Sequence, residues 1–110
     1  MVFSCKKEGE AVIRGTTPTF EFTLPFDCGL LYCAYITFSQ GGTTQFEKSL
    51  DDCDKDGRKI KVTLSQEDTL KLLDSQVTEI QIRAKTLASE VIASQIITVS
   101  TDRILKDGVI

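Results

Sequence analysis

The sequence predicts one all-β domain over residues 1–110, a β-sandwich of about seven strands with one short helical crossover turn. Three observations carry this expectation. Apolar and polar residues alternate with period two through most of the chain. Turn signals rich in glycine, aspartate or proline separate the alternating runs at short intervals. Between two of those runs the spacing changes once, near Ser65, from strand-like to helical. A closed barrel is the alternative architecture. The chain has 110 residues, 41% hydrophobic and 26% charged, which suits a single globular domain with a modest core rather than a disordered segment.

The first clear strand is 19–24, with Phe20, Phe22 and Leu24 on one face and polar residues on the other. Pro18 sits at its edge, where a missing N–H costs least, and Pro25 stops it before the loop 26–29. The next strand, 31–39, turns Ala34, Ile36 and Phe38 to one side and Tyr35 and Thr37 to the other. Gln40-Gly41-Gly42 predicts a tight hairpin, because two glycines supply the positive φ it needs. The returning strand, 43–50, faces Phe46 and Leu50 inward. Lys48 shares their parity, which predicts an edge strand or a bulge. A second turn at 51–57 leads to 58–64, where Ile60, Val62 and Leu64 face in. These three strands read as a meander joined by two turns.

Ser65 can cap a helix, and Asp68 three positions on completes a capping-box arrangement. Thr69, Leu70, Leu72 and Leu73 follow at helical spacing, so one helical turn is expected to cross from one sheet to the other. Ile80, Ile82 and Ala84 then alternate with charged and polar residues over 77–86. The last run, 90–100, has apolar residues on both parities. It is either covered on both faces or changes register at a bulge near Ser94-Gln95. Ile104, Leu105, Val109 and Ile110 are candidates to dock on the body or on a neighbour.

Several function classes are disfavoured by composition. The formal net charge is −3, and the densest basic stretch, Arg58, Lys59 and Lys61, adjoins Asp51, Asp52, Asp54 and Asp56; it reads as a solvated turn rather than a phosphate-binding patch. No nucleic-acid partner is expected. No apolar run is long enough to span a bilayer, and the start lacks the apolar stretch of a secretory signal, so no membrane association and cytoplasmic synthesis are expected. Cys5, Cys28, Cys33 and Cys53 are then expected as reduced thiols. Their wide spacing and the absence of histidine speak against zinc, and without histidine no Cys-His or Ser-His triad exists. No phosphate-cradling glycine motif is present. The chain is read as a non-enzyme with no cofactor.

Asp52-x-Asp54-x-Asp56-Gly57 matches the opening of an EF-hand calcium loop, but its twelfth position is Thr63 instead of glutamate and strands flank it. An acidic turn is the expectation, with calcium at Asp52, Asp54 and Asp56 the weak alternative. Glu67 and Asp68 are adjacent carboxylates whose expected role is to serve the helix start, not acid–base catalysis.

Leu64-Ser65-Gln66-Glu67-Asp68-Thr69 resembles the L-x-x-E-D-T segment at the E–F corner of antibody variable domains, and it falls at the matching place in the strand order. The resemblance implies an immunoglobulin-like β-sandwich. The tyrosine corner, the second cysteine and the core tryptophan of antibody domains are missing, so an antibody-type domain is not implied. Over most of the chain, several segments resemble small proteins from phage and prophage structural modules of gut Firmicutes. They are Arg14-Gly15-Thr16-Thr17-Pro18-Thr19-Phe20, Phe22-Thr23-Leu24-Pro25-Phe26-Asp27, Ile36-Thr37-Phe38-Ser39-Gln40, Leu64-Ser65-Gln66-Glu67-Asp68-Thr69-Leu70, Ile80-Gln81-Ile82-Arg83 and Arg103-Ile104-Leu105-Lys106-Asp107-Gly108. The R-G-x-T-P-like opening and the strand plan are similar to the N-terminal domain of baseplate upper proteins. This implies a tail- or baseplate-associated virion structural protein, made in the bacterial host cytoplasm. Its partners would be other phage structural proteins and further copies of itself. No functional residue is carried over.

The apolar ends, Met1-Val2-Phe3 and Val109-Ile110, are the expected partner contacts, because a free chain end in water needs no apolar residues. A carbohydrate- or receptor-binding module, in one version a calcium-stiffened adhesin, is the competing expectation. Such modules often display aromatics on one sheet face, whereas Tyr32 and Tyr35 lie on opposite parities.

Overall fold

The computed structural model describes residues 4–7, 11–94 and 96–110. In chain order the strands are β1 (Ser4–Lys7), β2 (Ala11–Ile13), β3 (Thr19–Thr23), β4 (Leu31–Gln40), β5 (Thr43–Ser49), β6 (Asp54–Asp56) and β7 (Lys59–Thr63). The helix α1 (Gln66–Leu70) follows, then β8 (Val77–Thr86), β9 (Val91–Ala93) and β10 (Ile97–Asp102). One sheet runs β1-β3-β7-β6 and the other β2-β10-β8-β4-β5, with β9 also paired to β8. The fold is mostly β, as expected. Ten strands stand among the described residues where about seven are predicted. Strands of three residues, such as β2, β6 and β9, are too short to show a period-two pattern.

The two sheets share one core. Phe20 and Phe22 of β3 and Ile60 and Val62 of β7 are buried, as are Ile36 and Phe38 of β4 and Ile80 and Ile82 of β8. Phe20 meets Phe38 edge-on across the sheets, with ring centroids 5.6 Å apart, and Phe38 stacks on Phe46 at 4.6 Å. β3, β4, β7 and β8 each turn inward the parity that the sequence assigns to the inside.

The predicted hairpin forms between β4 and β5. Gln40 pairs with Thr43, and Gly41 and Gly42 both have positive φ, +58° and +81°. Phe38 pairs with Phe46 but Ser39 with Thr44, so Gln45 is an extra residue, which keeps Phe46 inward. Lys48 lies on the edge strand of its sheet, as its parity suggests.

The predicted meander is corrected. β4 and β5 belong to the larger sheet, whereas β7 pairs with β3 in the smaller one. A 3₁₀ turn at Leu50–Asp52 ends β5, and Cys53 buries itself as the chain changes sheets. Within the segment predicted as a turn, Asp54–Asp56 forms β6, paired with β7.

Two other predicted features are present. α1 carries the chain from β7 in one sheet to β8 in the other, starting at the Ser65–Asp68 capping box. The last run breaks at Ser94: Ala84 pairs with Ile92 but Ile80 with Ile97, a shift of one residue. Ser94 is buried; its backbone N–H donates to the Ile82 carbonyl, and its Oγ accepts from the Ile82 N–H. Inward residues are even-numbered before the break (Ile92, Ser94) and odd-numbered after it (Ile97, Val99, Thr101). Gln95, the other residue of the predicted bulge, lies outside the described residues.

Candidate functional site

The aspartate run does not close around a cation position. Asp52 ends the 3₁₀ turn, and its Oδ2 accepts from the Ser49 backbone N–H at 2.9 Å and from Ser49 Oγ at 3.2 Å. These donors, the backbone one foremost, hold its carboxyl below the ordinary value. Asp54 and Asp56 lie on β6, exposed, opposite Lys61 and Lys59 of β7. That pairing sets opposite charges across the strands and accounts for the acidic and basic stretches together. Among the described residues no three metal-ligating side chains come together.

The Glu67–Asp68 pair separates. Glu67 faces solvent and Asp68 is buried. Asp68 Oδ2 accepts from the Ser65 N–H at 3.0 Å, and Ser65 Oγ accepts from the Asp68 N–H at 3.1 Å. Lys48 Nζ lies 2.7 Å from the same Oδ2, tying edge strand β5 to the helix start. Burial pushes the Asp68 carboxyl up, but Lys48 and the two Ser65 donors outweigh it and leave the pKa lowered. This is a structural anchor. The inward parity of Lys48 is the signal by which sequence reasoning could have looked for an acidic partner.

The Arg14-Gly15-Thr16-Thr17-Pro18 segment grips the same helix from its other end. Arg14 Nε donates to the Leu72 carbonyl at 2.8 Å and Nη2 to the Leu70 carbonyl at 3.2 Å, satisfying acceptors left free where α1 ends. Thr69 Oγ1 donates to the Thr16 carbonyl, and the Leu64 N–H donates to the Pro18 carbonyl. Gly15 has φ +77°, and a Cβ there would stand 2.8 Å from Ile104 Cδ1.

Beyond β10 the chain lies across this helix. The Gln66 side chain donates to the Ile110 carbonyl at 3.1 Å and accepts from the Ile110 N–H at 2.9 Å. The backbone is thus held while the side chains stay in solvent: Leu105 is 94% exposed and Ile110 87%, with Val109 exposed beside them. The side chains of Val109 and Ile110 therefore do not pack into the core of the body, although the Ile110 backbone is bonded to it. The matching expectation for Met1-Val2-Phe3 lies outside the described residues.

A second exposed cluster lies on the outer face of the larger sheet. Outward residues form rows across the strands: Val91, Lys85 and Cys33, then Ala93, Arg83 and Tyr35. Thr86 pairs with Leu31 and Lys85 with Cys33, so Tyr32 is an extra residue in β4. Both tyrosines are exposed, and Lys85 Nζ lies 5.7 Å from the centre of the Tyr32 ring. The parity separation of Tyr32 and Tyr35 expected from the sequence is thus undone by this bulge.

Cys28, Cys33 and Cys53 are free thiols. Burial, reinforced by neighbouring aspartates, raises the Cys28 pKa and pushes Cys53 up to about 11, so neither is an activated nucleophile. Neither a scan against protein-family models nor a search of curated proteins finds a match to this chain.

Proposed function

We propose that this chain is a non-enzymatic structural protein of a bacteriophage virion, tail- or baseplate-associated, built as an immunoglobulin-like sandwich that acts through protein–protein contacts. The strand order supports the fold. β1, β3, β7 and β6 take the places of strands A, B, E and D in one sheet; β4, β8 and β9–β10 take those of C, F and G in the other, with β5 as C′. α1 then stands at the E–F corner, where Leu64-Ser65-Gln66-Glu67-Asp68-Thr69 resembles antibody variable domains.

The observation that carries the function is the pinned apolar segment. Ile110 exposes its side chain on a backbone that Gln66 holds through two hydrogen bonds, Val109 is exposed next to it, and Leu105 is exposed five residues earlier. A partner gains apolar contact there without much ordering cost. The partners are other virion proteins and further copies of this chain, arranged around a symmetry axis.

Native mass spectrometry of the protein and of a version lacking residues 105–110 tests this. A trimer or hexamer that is lost on truncation is the expected result. Assembly unchanged by the truncation would rule out the role of Val109 and Ile110. Exposed Tyr32 and Tyr35 favour a second reading, a carbohydrate- or receptor-binding module. Glycan binding lost in Tyr35→Ala would move that reading to the front.

A further inference from the structure

Arg83 and Lys85 point outward from β8 as alternate residues, their Cα atoms about 7 Å apart. Among the described residues neither has an ion-pair partner. No acidic residue stands in their rows, which hold Val91 and Cys33 beside Lys85, and Ala93, Tyr35 and Ser49 beside Arg83. Glu47 belongs to the next row, where its carboxylate accepts from Thr37 Oγ1 at 3.0 Å. Glu90, before β9, has the parity of inward Ile92. The two cations border a shallow depression of about 200 Å³, lined mostly by apolar atoms of Cys33, Tyr35, Ala84 and Val91 besides their own. The bulge in β4 brings Tyr32 to the same rim, where Lys85 Nζ lies 5.7 Å from its ring centre. Tyr32 is 65% exposed and Tyr35 46%, so both rings are open to a ligand.

We infer that this depression binds a carboxylated sugar residue of a glycan, its ring laid on Tyr35 and its carboxylate taken by Arg83 and Lys85. This deepens the glycan-binding reading that the exposed tyrosines favour, and rests on it. A sugar ring presents C–H groups of slight positive charge, which rest on the negative face of a tyrosine. A guanidinium takes a carboxylate through two parallel N–H···O bonds, and an ammonium adds a point charge. Tyr32 already attracts Lys85 to the rim, so less side-chain freedom is lost when the anion arrives. Other anionic partners suit the place less. β8 is paired on both sides where it carries the cations, so an acidic peptide finds no strand edge beside them to extend. Nucleic acid would meet a chain of formal net charge −3.

The size of the depression sets the strength. It falls below the roughly 300 Å³ at which sites begin to enclose a small molecule, so one ring lies across it and is not engulfed. Binding is therefore weak, with a dissociation constant on the order of 1 mM.

Amide shifts in ¹H–¹⁵N spectra of the full chain, titrated with each probe to about 20 mM, read the binding. The acidic probes are digalacturonate and sialyllactose. The neutral ones are the methyl ester of digalacturonate, which keeps the ring and masks the charge, and lactose. An acidic probe should shift the amides of residues 33–35, 83–85 and 91, with the neutral probes at least about fivefold weaker. Arg83→Gln and Lys85→Gln, with the fold checked by circular dichroism, should each raise the dissociation constant of the acidic probe about fivefold. Glu79→Gln, on the same face but away from the depression, should leave it within about twofold. Equal binding of acidic and neutral probes would overturn the carboxylate assignment and leave glycan binding standing. No shift with any probe would overturn both. Acidic-probe binding that neither Arg83→Gln nor Lys85→Gln weakens would overturn the site.

Discussion

Lys48 occupies the inward parity of an edge strand, a position that would strand a charge at the core margin if nothing met it. Asp68 meets it at 2.7 Å while also closing the helix cap. Three interactions therefore converge on one carboxylate, and folding lowers its pKa from the ordinary 3.8. A lowered carboxyl pKa contributes stability that is complete above the unfolded value and is lost as pH falls through the folded one. Asp68→Asn should cost about 2 kcal/mol at pH 7. That cost should shrink as wild type and variant are compared by urea unfolding at successive pH values below about 4. A difference that stays constant down to pH 2 would show that the charge is unimportant. Gly15 illustrates the other kind of residue-scale constraint. Its φ of +77° strains any side chain, and the approach of Ile104 leaves a Cβ little room. The glycine of the R-G-T-T-P segment is thus explained by packing, as Arg14 is by the helix carbonyls it caps.

At the scale of elements, the two-part last strand shows how a sequence with apolar residues on both parities resolves. β9 and β10 both pair with β8, and the single-residue shift between them lets Ile92 and Ile97 face inward despite opposite parity. Ser94 makes this possible by giving the Ile82 N–H an acceptor where the ladder is interrupted. Ser94→Ala removes that acceptor from a buried donor and should cost about 1–3 kcal/mol. Amide exchange at Ile82 should accelerate with it; unchanged protection there would show that the hydroxyl is dispensable. The bulge was legible from the sequence because it is a local conflict of parity. Lys48 was legible only as an anomaly, since its partner lies twenty residues away on a different element.

At the scale of the whole molecule, two of the places where the chain changes sheets, the 3₁₀ turn after β5 and α1, are each anchored by a carboxylate that accepts from a serine N–H. The acidic run is part of this architecture: Asp52 is engaged at Ser49, and Asp54 and Asp56 face lysines of β7. Millimolar calcium should therefore leave the thermal midpoint within about 1 °C, because a ligand stabilises only by binding the folded state. A clear rise in the midpoint, reversed by a chelator, would restore the calcium site at Asp52, Asp54 and Asp56. The side chains of Leu105, Val109 and Ile110, and those of Tyr35 and Arg83 on the outer face of the larger sheet, stay exposed. They point away from the core that defines the fold, and truncation of residues 105–110 tests the first of them.

The sequence by itself determined the local features. Alternation marked β3, β4, β7 and β8 with the correct faces inward; the glycine pair marked the hairpin; Ser65 and Asp68 marked the helix start; the parity conflict marked the break at Ser94. Each depends on residues a few positions apart, where backbone preference and side-chain period act directly. Only the tertiary structure decided that β7 leaves its sequence neighbours for the other sheet, that β1, β2 and β6 are strands, and that Arg14 and Lys48 grip opposite ends of one helix. It also brought Tyr32 beside Lys85 on the face that carries Tyr35. Those outcomes pair groups that are distant along the chain. Core packing and hydrogen-bond satisfaction choose such partners, and neither is written in the residues next to them.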